Sequence, residues 1–243
     1  MSKISVVPVE RLDMGYVCRP WGFEEANRGS IDAHFAGLQG KNPALWNGKV
    51  LMLGAFSIAD AVFRGSYFPV DYASFIAWRD WNYPDANAHD CFAMGTIRSA
   101  DGAFLLGVMA PSTANAGLIY FPCGTPDLSD VAGDKVDLEA NVERELMEEA
   151  GLRLSEFDIS PGWLTVLAGP WIANMKMLLA HEAAATLRAR ILDHLAGQRR
   201  PELSDIRIVR GPQDLSPMMP PHVVAYLQYV WHRDNVGSAG GKG

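Results

Sequence analysis

The densest group of chemically capable side chains in this sequence is Arg144-Glu145-Leu146-Met147-Glu148-Glu149-Ala150-Gly151-Leu152. Three carboxylates and a guanidinium fall within about two helical turns. Glu145 and Glu149 stand four apart and share a helix face, and Glu148, three after Glu145, flanks it. Like charges at that spacing destabilise a helix, and a cation offsets the repulsion. A hard divalent ion such as Mg²⁺ suits the role, because it takes oxygen ligands from a few carboxylates together with phosphate oxygens and water. Arg144, four residues before Glu148, can orient that carboxylate through charge-assisted hydrogen bonds. Leu146 and Ala150 then face a sheet, and Gly151 ends the helix where a left-handed residue is wanted. On glutamate count alone, a solvated acidic helix face is the plainer reading.

The complete spacing favours more. The run matches REUxEExGU, with U a bulky aliphatic residue, at every specified position: Arg144, Glu145, Leu146, Glu148, Glu149, Gly151 and Leu152. That pattern is the second half of the Nudix box, and the stretch resembles the Nudix hydrolase family. The first half departs from it. Counted back from Arg144, the places for a glutamate and a glycine hold Val136 and Asp130. Phe121-Pro122-Cys123-Gly124-Thr125-Pro126-Asp127 looks like the family's glycine loop, which makes Gly124 the box glycine and leaves a six-residue insertion near Leu128 to Gly133. Asp127 or Asp134 is then the candidate substitute for the missing acidic ligand.

The resemblance implies a Nudix fold, an α/β/α sandwich around a mixed β-sheet, over residues 89–235, with residues 1–88 as an N-terminal α+β accessory region. It implies Mg²⁺-dependent attack of water on the diphosphate of a nucleoside diphosphate derivative, with Mn²⁺ as the alternative ion. Glu145, Glu148 and Glu149 are the implied metal ligands, joined by the backbone carbonyl of Gly124. Arg144 is the implied orienting residue, grouped with Glu145 and Glu148 as the catalytic set. The general base is a box glutamate or a carboxylate on a later loop, for which Glu182 and Glu202 are the candidates. Leu45-Trp46-Asn47-Gly48, followed by Asp71-Tyr72, loosely resembles the region before the box in UDP-sugar-cleaving members. A homodimer is expected by analogy with the family. Two other readings compete: a Nudix-fold sensor that binds a nucleotide metabolite without turnover, supported by Val136, and an interaction protein whose aromatic N-terminal third is the working surface.

Other chemistries find little support. The six histidines show no HxxxH or HxH spacing, and neither a GxSxG motif nor a P-loop occurs. His181 and Cys123 read as a surface and a small buried residue. A net charge of −7 disfavours a nucleic-acid polymer as partner, since such binding needs clustered Lys and Arg. A small phosphorylated substrate remains compatible, because a bound cation supplies the local positive charge. Three scattered cysteines signal neither a disulfide framework nor a zinc site, no run reaches the length of a membrane span, and no secretory signal is evident. A cytoplasmic protein without membrane contact is expected.

The elements needed to position the acidic helix are legible around it. Cys91–Arg98 and the run after Asp101-Gly102 predict a hairpin. Gly117–Phe121, Trp163–Ala168, Met175–Ala180 and Ile206–Val209 predict strands, the second and third of these separated by Gly169-Pro170. Helices are predicted from near Asp137, over His181–Gly197 and over Pro220–Trp231. Residues 1–88 hold four of the seven tryptophans but show a clear pattern only at Tyr72–Trp81, an amphipathic helix. Residues 236–243 read as a flexible tail.

Overall fold

The computed structural model describes residues 4–43 and 45–240. The first part of the chain forms β1 (Ser5–Val9), β2 (Arg11–Tyr16), α1 (Gly22–Lys41), β3 (Lys49–Ala59), β4 (Val62–Asp71) and α2 (Tyr72–Asp80). Next come β5 (Asp90–Arg98), β6 (Phe104–Met109), β7 (Ile119–Tyr120), β8 (Val131–Ala132), β9 (Lys135–Val136) and α3 (Leu138–Ala150). The chain closes with β10 (Phe157–Ile159), β11 (Trp163–Ala168), β12 (Trp171–Ala180), α4 (Ala184–Gly197), β13 (Leu203–Val209) and α5 (Pro221–Gly240).

Two compact units divide these elements. One gathers Met1–Glu10, Phe92–Gly124 and Glu139–Gly243, the other Arg11–Cys91 and Thr125–Leu138. The chain passes between the units at 10/11, 91/92, 124/125 and 138/139. The opening strand belongs with the C-terminal two thirds, and the loop before α3 belongs with the N-terminal third.

The first unit, which holds the acidic helix, is built on an eight-stranded sheet in the order β1-β11-β12-β5-β6-β13, with β10 on β12 and β7 on β6. Both expected turns form. Gly102 (φ 81°) closes β5 onto β6, and Gly169 (φ 70°) lets Ala168 pair with Trp171 across a two-residue turn. β12 therefore starts at Trp171 rather than Met175. Its first half was obscured by the polar Asn174, whose amide oxygen accepts from the buried Thr165 hydroxyl at 2.8 Å. Successive residues of β5 identify the layers. A Cβ on Gly95 would touch Val142 of α3 at 3.2 Å, whereas the hydroxyl of Thr96 meets that of Tyr226 on α5 at 2.7 Å. Adjacent strand residues point to opposite faces, so α3 and α5 cover opposite sides of the sheet, the expected α/β/α arrangement. The rings of Phe104, Phe121 and Tyr226 meet edge to face in the core. α5 runs on to Gly240, so helix occupies 236–240 where composition predicts a frayed tail; 241–243 lie outside the described residues. Once Val223, Tyr226, Leu227 and Val230 are buried, extending the helix adds one backbone hydrogen bond per residue fixed.

The second unit has a five-stranded sheet, β3-β4-β2-β9-β8, with β2 and β4 parallel and the other pairs antiparallel. Its longest helix, α1, is absent from the sequence-based reading, because Gly22, Gly29, Gly37 and Gly40 give the stretch a poor helical propensity. Packing overrides it: Ile31 and Phe35 bury against Ala73 and Ala77 of α2. α2 forms where expected but has no solvent face over its middle, since every residue from Ala73 to Trp78 is buried. The insertion before α3 supplies a strand pair. Leu128–Asp130 is a 3₁₀ turn, Val131 pairs with Val136 around Gly133 (φ 65°), and Gly15 pairs with Lys135, which joins β9 to β2.

Candidate metal-binding carboxylate site

α3 presents two faces. Val142, Leu146 and Ala150, at successive i+4 steps, are buried toward the sheet core. Glu145 and Glu149, one residue earlier in each step, are also buried, with 8% and 3% of their surface exposed. The helix ends at Gly151, whose φ of 67° and N–H bond to the Met147 carbonyl form a left-handed cap. A Cβ there would also lie 2.4 Å from the His194 ring, so two constraints demand glycine.

The loop Phe121–Gly124 lies over the two buried carboxylates. Its backbone is tied to β5 by the Gly95 N–H donating to the Pro122 carbonyl at 3.2 Å. The Cys123 N–H donates to Glu149 Oε2 at 3.1 Å. A Cβ on Gly124 would stand 2.0 Å from Glu145 Oε1, so the carboxylate occupies space that only glycine leaves open. Arg144 Nη1 bonds Glu145 Oε1 at 2.7 Å and reaches Glu148 Oε2 at 3.5 Å, making Glu145 its main partner rather than Glu148. The Glu148 side chain is mostly exposed, and its backbone carbonyl accepts from the Gln198 amide at 2.6 Å, with His194 Nε2 at 3.2 Å. His194 of α4 and Gln198, just past its end, thus brace the end of α3. Nothing in their sequence spacing signals this, since they lie about fifty positions away.

Burial pushes the Glu145 carboxyl up to about 7; Arg144 opposes the shift, while Glu148 and Glu202 add to it. Glu149 is held well above the usual carboxylate range, first by burial and then by the charges of Glu145 and Glu202, against the Cys123 N–H. Glu202, exposed just before β13, is thus a fourth acid within electrostatic reach. Glu182 instead pairs with Arg190 on α4, and the exposed His181 faces Asp158 at 3.8 Å. Asp127 and Asp134 belong to the other unit. There Asp127 caps a turn, accepting from the Ser129 N–H at 2.7 Å and its hydroxyl at 2.6 Å, and Asp134 is exposed beside Gly133. Val136, at the place of the first box glutamate, is a buried strand residue.

Among the described residues no three His, Cys, Asp or Glu side chains converge as a ready-made metal cage. The donor set instead fits an ion held by one or two carboxylates and completed by substrate phosphates and water, the usual Mg²⁺ arrangement. Burial raises both Glu145 and Glu149, the charge of Glu145 raises Glu149 further, and Arg144 is the cation bonded to Glu145; a divalent ion would relieve the repulsion among these acids.

The three cysteines are free thiols, and no helix among the described residues is long and apolar enough to cross a membrane. No protein-family model matches the sequence, and no curated protein matches it. Among solved structures, the Nudix domain of NrtR from Shewanella oneidensis, crystallised with ADP-ribose, aligns at 17% identity and a TM-score of 0.42, over 65% of this chain and 97% of that one. The MutT protein of Methanosarcina mazei Go1 aligns at 20% and 0.40, over 60% and 95%. RenU, a Nudix hydrolase from M. smegmatis, aligns at 18% and 0.39, over 61% and 86%. The chain is therefore similar in structure to Nudix hydrolases at low sequence identity.

Proposed function

We propose that the first unit hydrolyses the diphosphate linkage of a nucleoside diphosphate derivative with Mg²⁺ held by Glu145, Glu148 and Glu149. The observation that supports this reading most directly is the stacking of buried, mutually repelling Glu145 and Glu149 beneath the Gly124 loop. A fold keeps two such carboxylates at a stability cost unless a cation compensates them. When bound, the ion neutralises diphosphate oxygens and lowers the pKa of the attacking water. The protein's own groups do the positioning. Arg144 fixes Glu145, the Cys123 N–H fixes Glu149, and the small Gly124 leaves space at the carboxylates. Glu202 is our candidate to take a proton from water, because it is exposed and its charge reaches Glu145 and Glu149, whereas the Glu182 carboxylate is engaged by Arg190.

The deciding assay measures phosphorylated products with Mg²⁺ over UDP-sugars, ADP-ribose, dinucleotides and coenzyme A. Turnover of one class is expected, falling about 10²-fold or more in Glu145→Gln and in Glu148→Gln. The buried valine at 136 favours one competing reading, a binding-only sensor. A silent panel with Mg²⁺-dependent thermal stabilisation lost in Glu145→Gln would select it.

A further inference from the structure

The second unit carries an open cavity of about 630 Å³, lined in part by Arg19, Gly54, Phe56, Ser66, Asn87 and His89, with no acidic residue in its lining. That volume falls in the range of small-molecule sites. A β-bulge lines one side of the cavity. β3 and β4 pair as Leu53 with Tyr67 and Phe56 with Gly65, so Gly54 and Ala55 together oppose Ser66. Bulges bend a strand and re-aim its side chains, often beside binding sites. Here the bulge leaves Phe56 37% exposed, propped edge-on against His89 at 5.2 Å and Phe63 at 5.6 Å.

Arg19 supplies the polar end. Its guanidinium lies 3.7 Å from the centre of the Phe68 ring, and a Cβ on Gly54 would come within 2.8 Å of Nη2, so glycine makes the close approach possible. Its one hydrogen bond among the described residues is a long 3.4 Å contact to the neighbouring Pro20 carbonyl. Asp85, which feels its charge, is already engaged by the Trp21 indole at 2.8 Å and the Asn87 N–H at 2.9 Å. A flat, oriented guanidinium without a carboxylate partner is suited to forked recognition of an anion.

We propose that this bulge cavity binds a small aromatic ligand bearing a phosphate or carboxylate, with the anion on Arg19 and the ring against Phe56. The site is independent of the carboxylate helix and of the hydrolysis proposed for it. Titrating the full chain in divalent-free buffer with phenyl phosphate, benzoate, phenol and inorganic phosphate, followed by calorimetry, tests the proposal and shows which anion is preferred. Saturable binding of phenyl phosphate or benzoate at millimolar affinity or better is expected, about tenfold weaker in Arg19→Ala and in Phe56→Ala and unchanged in Glu145→Gln. Arg19→Gln gives a second test if Arg19→Ala alters thermal unfolding. No saturation by either aromatic anion, or equal affinity in the Arg19 variants, overturns the proposal. Inorganic phosphate binding as tightly as phenyl phosphate overturns the aromatic part.

Discussion

At the scale of single residues, the site is a problem of crowding as much as of charge. Gly124 sits so close to Glu145 that any side chain must displace the carboxylate, and the three nearest atoms it would meet all belong to that flexible side-chain end. Gly124→Ala is therefore expected to lower Mg²⁺-dependent turnover about 10- to 100-fold, as a change in ligand orientation does, with little change in thermal midpoint. Parallel kinetics and thermal melts check this; a collapse of the midpoint with normal turnover would sink it. His222, remote in role from the carboxylates, gives a cleaner titration. It is buried at the start of α5 with its ring against Phe92 at 5.5 Å and neither ring nitrogen hydrogen-bonded, and burial pushes its pKa down to about 4. The unfolded chain binds a proton near 6.5, so stability is full above that pH and is lost as pH falls from 6.5 toward 4, on the order of 3 kcal/mol in all. His222→Phe should flatten the decline in denaturation midpoint between pH 7 and pH 4. An unchanged slope would show that other groups govern it.

At the scale of elements, glycine is used in two opposite ways. In α1, Gly29 and Gly37 are exposed mid-helix positions where a Cβ would meet nothing within 4 Å. Each change to alanine should raise stability by about 0.5–1 kcal/mol, measured by denaturant unfolding. The β3–β4 turn has the reverse fault, with Asp60 at φ 52° and Ala61 at φ 55° in a two-residue hairpin loop that favours glycine. Ala61→Gly should stabilise by about 0.5–1 kcal/mol despite the greater freedom of the unfolded chain. Destabilisation by either kind of substitution would contradict the local reading. The insertion before α3 belongs at this scale too. Its residues were recognisable as an interruption of a spaced motif, yet their role as β8 and β9, partners of a strand far earlier in the chain, depends on Gly15 meeting Lys135.

At the scale of the whole molecule, sequence order and spatial units do not coincide. β1 completes the edge of the sheet beside β11, from Ser5 opposite Leu167 to Val9 opposite Trp163. The fragment 89–235 therefore lacks a strand of its own unit and should melt lower than the full chain or self-associate, as thermal unfolding and size-exclusion chromatography would show. A fragment as stable and monomeric as the parent would refute that dependence. By itself, the sequence determined what local periodicity and spacing encode: the acidic helix with its glycine stop, the Asp-Gly and Gly-Pro hairpins, and the closing amphipathic helices. It could not determine α1, whose glycines conceal a helix held by burial of Ile31 and Phe35, or the first half of β12, where Asn174 interrupts the apolar run. Tertiary structure decided that Glu145 and Glu149 are buried under one loop while Glu148 faces solvent, and that Glu202 rather than Glu182 adds to their field. The physical reason is range. Turn chemistry and helix periodicity act over a few residues, whereas desolvation, charge coupling and strand pairing depend on which distant segments the fold brings together.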